Sequence, residues 1–177
     1  MSEARAHAIA ARLGLASVLL MFCLMVLGSV VRTTGSGLAC PDWPLCEGRL
    51  IPRFELHVLI EWGHRLVALL LSTMLVILAA WVFTHRAVRA RIGGLMGLSL
   101  ALLAVQVLLG ALTVWKLLSP GVVSSHLAVA LLLFASLLTL TLVADLEAEP
   151  APEGAPRPPG AIAVFAAATA LTYAQAV

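Results

Sequence analysis

Charged side chains are scarce in this chain: 11 Lys and Arg and 9 Asp and Glu make up only 11% of its 177 residues. Soluble globular chains carry roughly a quarter. With 62% hydrophobic residues there is more apolar surface than a fold of this length can turn inward. Water is therefore excluded as the solvent for most of the chain. The basic residues are scattered, so the net charge of +2 carries no signal for nucleic acid. Three cysteines are too few for a disulfide scaffold.

What the chain does have is long uncharged runs. Arg12 and Arg32 bracket 19 residues, Arg65 and His85 another 19, Arg91 and Lys116 bracket 24, and Pro120 and Asp145 bracket 24 interrupted only by His126. About 20 residues suffice to cross a hydrocarbon core as a helix. These runs predict an all-α integral membrane protein: a four-transmembrane-helix bundle over residues 1–144, with residues 161–177 as the beginning of a fifth helix. A signal peptide is the competing reading of the first run, but an h-region is only about 7–15 residues long, so a retained helix is expected. The stretch 145–160, DLEAEPAPEGAPRPPG, holds five prolines and more acids than bases. It reads as a non-helical cytoplasmic linker.

Four spans put Arg5, Arg12, Arg86, Arg89, Arg91 and Arg157 on one side and Arg32, Arg49, Arg53, Arg65 and Lys116 on the other. Counts barely differ, but Arg86, Arg89 and Arg91 crowd one short loop, which favours the cytoplasm for that side. Cys40 and Cys46 then lie in an extracytoplasmic loop around Pro-Asp-Trp-Pro-Leu. A disulfide persists in such a compartment and would stabilise this small loop by about 2 kcal/mol. Reduced thiols or a partial metal site are the alternatives, and the missing histidine makes zinc the weaker one. Cys23, inside an apolar run, reads as a small buried hydrophobe.

Ionisable groups within a span are costly unless paired or ligated, which makes each a functional candidate. In HVLIEWGHRLVALL, His57, Glu61 and His64 follow at steps of four and three and share one helix face. His126 stands a few residues past Pro120 and Gly121 in the fourth run. The second and fourth spans run in the same direction, so His64 and His126 come within about a turn of the same depth. Two histidines at matched depth suit axial ligation of a haem from both faces, with a hydrogen bond to a neighbouring helix as the plainer reading of each. His57 reads as interfacial, and His7 and His85 as helix-end residues. Arg32 and Arg65, at the outer ends of their spans, could pair with haem propionates or anchor in the headgroups. Glu61, one turn before His64, could orient a ligand, move protons beside a haem, or cap a buried polar network.

The run VRTTGSGLACPDWPLCEGRLIP followed by IEWGHR resembles the first extracytoplasmic loop and second helix of the haem A synthase family, and QVLLGALTVW and SSHLAVA resemble its third and fourth helices. The resemblance covers nearly all of residues 12–144. It implies oxidation of the C8 methyl of haem O to a formyl group by successive hydroxylations, for assembly of terminal oxidases in the cell membrane. It also implies His64 and His126 as ligands of the haem iron, Glu61 as the functionally important acid, and Cys40 with Cys46 as the outer-loop pair. The implied partners are haem O, membrane lipid, a haem O synthase and an electron acceptor. Full-length members are similar to a tandem of two four-helix halves, the second holding a haem b. This chain has one half, a linker and, in TYAQAV, a stretch similar to its own LLAVQVLLG. That pattern fits a truncated product better than a half-size member that forms a homo-oligomer.

Two other functions compete. A bis-histidine membrane cytochrome b acting as an electron carrier would use the same ligands, because two strong axial ligands leave no open iron position. It would not need Glu61 or the cysteine loop. A thiol–quinone oxidoreductase would need a second cysteine pair to relay electrons, and only one is present.

Overall fold

The computed structural model describes residues 1–149. Among these, four helices, α1 (Glu3–Thr33), α2 (Leu56–Thr84), α3 (Arg86–Trp115) and α4 (Pro120–Ala148), are joined by loops that hold one isolated bridge between Cys46 and Arg49. All four are long and apolar enough to cross a membrane, and the chain is a multi-pass membrane protein. At about 1.5 Å per residue each helix extends for about 45 Å, beyond a hydrocarbon core of roughly 30 Å, so their polar ends overhang it. Most of the expected linker and the whole expected fifth helix lie outside the described residues. The linker's first four residues, Asp145–Ala148, belong to α4, since its prolines begin only at Pro150.

Local chemistry sets the helix ends. The Ser2 hydroxyl accepts the Arg5 N–H at 3.4 Å and caps α1, with Glu3 in its first turn and Arg32 in its last, each matching the helix dipole. Pro120 opens α4, where its missing N–H costs nothing. A single residue, His85, joins α2 to α3, its ring stacked on Trp81 at 3.9 Å. Arg86, Arg89 and Arg91 therefore do not form a loop, as their spacing suggests, but occupy the first two turns of α3. The helix simply continues beyond the apolar zone.

In the bundle α1 and α3 each pack on both α2 and α4, which face one another across the wider diagonal. The inner half of α1 buries Ala6, Ala10, Ala11, Gly14 and Ser17. Such a small-residue face lets helices approach closely in lipid; a methyl added at Gly14 would collide with Thr141 Oγ1 on α4. Ser99 and Ser136 share a buried 2.8 Å hydrogen bond between α3 and α4, and Arg91 near the start of α3 pairs with Glu147 near the end of α4 at 2.6 Å. Two apolar clusters fill the inner and middle thirds, one around Leu78, Val82, Ile92 and Leu140 and the other around Met21, Leu71, Leu75 and Leu133. Leu15, Leu19, Phe22 and Val26 point outward, where lipid rather than water receives them. Cys23 is exposed on that surface. It is not the buried hydrophobe its surroundings suggest, because in lipid an apolar side chain is equally at home outside the bundle.

Candidate functional site

Beyond the middle cluster the interior changes from apolar to polar and small. His64 lies eight residues after Leu56, the start of α2, and His126 six after Pro120, the start of α4, a difference in depth of about 3 Å. They approach from opposite corners of the wider diagonal. Gly28 on α1 faces the His64 ring and Gly110 on α3 the His126 ring; a Cβ at either would come within 3.3 and 3.4 Å of the respective Cε1. The Nδ1 atoms of both histidines are buried without a hydrogen-bond partner, as is Oε1 of Gln106, whose Nε2 stands 3.4 Å from His126 Nε2. Buried polar atoms left unpaired are costly, so three in one layer mark it as built for something other than helix packing.

This layer fits a haem. Two imidazoles enter one layer from opposite helices, and each ring packs by its Cε1–Nδ1 edge against a glycine of the adjacent helix. Among the described residues no group of three or more His, Cys, Asp or Glu could hold a bare metal ion. A pair of nitrogens suits a metal whose remaining ligands come from a macrocycle. A groove of about 330 Å³ lies elsewhere, between the inner halves of α1 and α4 beside Arg12 and Asp145, and no residue of the histidine layer lines it.

Over the end of the bundle nearer the histidine layer sits the loop between α1 and α2, closed by the Cys40–Cys46 disulfide. Arg65 reaches from α2 into it. Its Nη1 donates to the carbonyls of Asp42 and Leu45, both at 2.6 Å, and its Nη2 to the Cys40 carbonyl at 3.0 Å and to Glu61 Oε1 at 2.5 Å. Glu61 Oε2 accepts the Cys40 N–H at 2.8 Å. Four of the five guanidinium protons are thus used inside the protein, and only Nε–H is left for any further anion. Trp62 Nε1 donates to the Leu50 carbonyl at 2.9 Å, and Trp43 meets Trp115 edge to face at 6.0 Å. His57 is exposed and shares a 2.9 Å hydrogen bond with the Ser36 hydroxyl. Arg32 is exposed at the end of α1 and makes no ion pair among the described residues.

The candidates thus divide by location. His64 and His126 share the interior layer, Glu61 and Arg65 hold the loop, and Arg32 stands apart at the rim. Gly28, Gly110 and Gln106 join the layer without being singled out by sequence pattern. Their trace was faint: an isolated glycine within a helical run weakens the helix unless packing requires it.

Asp42 makes the loop sensitive to acid. Its carboxylate accepts the N–H of Gly48 at 2.8 Å and of Glu47 at 2.6 Å, bridging a turn in which both residues have positive φ (69° and 55°). These donors, Gly48 foremost, hold its pKa below the ordinary carboxylate value despite partial desolvation. A depressed folded pKa means that the stabilisation is complete above the unfolded value of about 4 and is lost as the pH falls through the folded one. Protection of the Glu47 and Gly48 amides, taken relative to the intrinsic exchange rate at each pH, is expected to fall below about pH 4. The acid step should vanish in Asp42→Asn, and its persistence there would assign it to another group.

The sequence matches the family described as "Cytochrome oxidase assembly protein" (COX15-CtaA) over residues 11–58 and 51–177. It is similar to the "Heme A synthase" of Bacillus licheniformis, with 34% identity over 74% of this chain and 44% of the relative. It is also similar to those of Bacillus pumilus, at 36% identity over 74% and 44%, and Exiguobacterium sp., at 33% over 70% and 42%. The chain therefore spans somewhat under half the length of these relatives. No solved structure matches it.

Proposed function

The chain belongs to the cytochrome oxidase assembly protein family, and on that premise we propose that it is a four-helix haem-binding unit of a haem A synthase. In this reading it is an oxidoreductase whose substrate is haem O, with the C8 methyl oxidised to a formyl group. The observation that carries the reading is the pair His64 and His126, at matched depth in one polar layer, each ring seated against a glycine and each Nδ1 buried and unpaired. The haem iron, when bound, supplies the redox chemistry.

The protein's own residues supply the setting. His64 and His126 would hold the group through their imidazole nitrogens, with Gln106 Nε2 3.4 Å from His126 Nε2 beside it. Arg32, without an ion-pair partner among the described residues, is the cation best able to meet a propionate, while Arg65 can add only its remaining Nε–H. Glu61 Oε1 and Oε2 each accept one hydrogen bond, and an ionised carboxylate has further lone pairs. A proton could be held there one turn from His64. The disulfide loop, clamped by the Glu61–Arg65 pair, covers the outer end of the layer and limits entry of water. We place that loop outside the cytoplasm and the N-terminus within it, because Arg86, Arg89 and Arg91 mark the opposite side and an oxidising compartment preserves the disulfide. Haem b would belong to a second half, supplied by a longer chain or a partner copy, along with contacts to a haem O synthase and an electron acceptor.

The test is to express the chain in cells that also make haem O synthase, then extract the co-purifying haems and identify them by mass. Haem A or hydroxylated haem O in the parent, absent from His64→Ala, is the expected result. Haem b as the only species would sink the synthase reading in favour of a carrier.

A further inference from the structure

The two histidines are mounted in the same way. Gly28 lies five residues before the end of α1 at Thr33, and Gly110 five before the end of α3 at Trp115. A Cβ at Gly28 would stand 3.3 Å from His64 Cε1 and 3.9 Å from its Nδ1, and one at Gly110 would stand 3.4 and 4.0 Å from the same atoms of His126. In each case the Cε1–Nδ1 edge of the imidazole lies against the neighbouring antiparallel helix. One turn before each glycine a backbone carbonyl lies near the ring, that of Leu24 for His64 and that of Gln106 for His126. Leu24 and Gln106 each stand four residues before the glycine, so their carbonyls also receive the helical hydrogen bond from the glycine N–H. Neither Nδ1 completes a bond to its carbonyl in this structure. A side chain at either glycine would press on the ring edge that faces that carbonyl.

The geometry points to Gly28 and Gly110 as positioning residues for the haem ligands. Each admits an imidazole edge to a backbone carbonyl, so that Nδ1–H is held there and the Nε2 lone pair is turned to the iron. The inference rests on the haem-binding reading above and extends it to two residues that touch neither iron nor substrate. An outer-shell acceptor of this kind sets the tautomer and ring orientation of a metal-binding histidine and raises its basicity. Size, not backbone freedom, is what the glycines contribute, because both lie within regular helix. The repetition in two helix hairpins, α1–α2 and α3–α4, argues against chance packing.

The test uses the full chain in detergent, titrated with ferric protoporphyrin and followed by absorption and redox titration. Gly28→Ala and Gly110→Ala are each expected to weaken haem binding about 10–100-fold. The haem still bound should show a raised midpoint potential, since a less basic ligand favours ferrous iron. Without haem, both variants should melt no lower than the parent, because alanine is the better helix former. Gly97→Ala, where nothing lies within 4 Å of the added methyl, should match the parent throughout. Parental affinity and potential in both test variants would overturn the inference while leaving the haem reading intact. A fall in apoprotein melting that matches the loss of binding would also overturn it, as a general packing defect. A parent that binds no haem would remove the haem reading itself, and the inference with it.

Discussion

On the proposed haem-binding reading, His64→Ala and His126→Ala are each expected to abolish low-spin haem binding, with losses larger than the roughly 10–100-fold that outer-shell partners of a metal cost. Each variant would remove one of the two proposed ligands, and among the described residues no group of three or more His, Cys, Asp or Glu could hold a metal in its place. His57→Ala should keep the parental spectrum and haem content, because His57 is exposed and turned toward Ser36. The spectrum of the purified variants separates these cases, since one remaining ligand leaves the iron high-spin or lost. Full low-spin haem in His126→Ala would mean that the second ligand is another residue. The pairing across the wider diagonal would then have to be abandoned.

The second large effect belongs to Glu61→Ala, which is expected to lower stability by about 3–5 kcal/mol, the usual cost of breaking a buried ion pair from one side. For a chain of this length that corresponds to a fall in melting temperature of roughly 6–20 °C. Glu61 is 4% exposed, and its loss leaves both the Arg65 charge and the Cys40 N–H unanswered beneath the disulfide. Glu61→Gln should lose less, because the amide can still accept from Cys40 but cannot neutralise Arg65. Arg65→Lys should resemble Glu61→Ala more than the parent. One ammonium with three donors cannot serve three carbonyls and a carboxylate spread around a planar fork. Melting in detergent and the rate at which dithiothreitol opens Cys40–Cys46 are the readouts. An unchanged melting temperature and reduction rate in Glu61→Ala would show that the loop is held by other contacts.

These expectations bear on how Glu61 serves the proposed reaction. Its oxygens are committed to the loop, so loss of turnover in Glu61→Ala could follow from a displaced loop as well as from a missing acid. Glu61→Gln separates the two, since it keeps more of the loop's support while removing the titratable group. Turnover lost there with the loop still closed to reductant would assign the acid a proton-handling role.

The sequence alone determined the membrane environment, the four spans, the depth of His64 and His126 and the small loop between Cys40 and Cys46. All of these depend on spacing along one chain: run length against bilayer thickness, rise per residue, and the reach of a short loop. Tertiary structure alone decided which side chains meet. Helix spacing put Glu61 and His64 on one face, yet folding turned Glu61 to Cys40 and Arg65 and left His64 beside Gly28. Arg65, available to a propionate by sequence, is nearly used up by loop carbonyls, and Cys23 lies on the surface. In water, an apolar stripe would have announced which face of each helix turns inward. Here lipid accepts the same side chains as the core, so hydrophobicity no longer distinguishes inside from outside. The inward faces are selected instead by small residues, hydrogen bonds and shape, which become visible only when the helices are together.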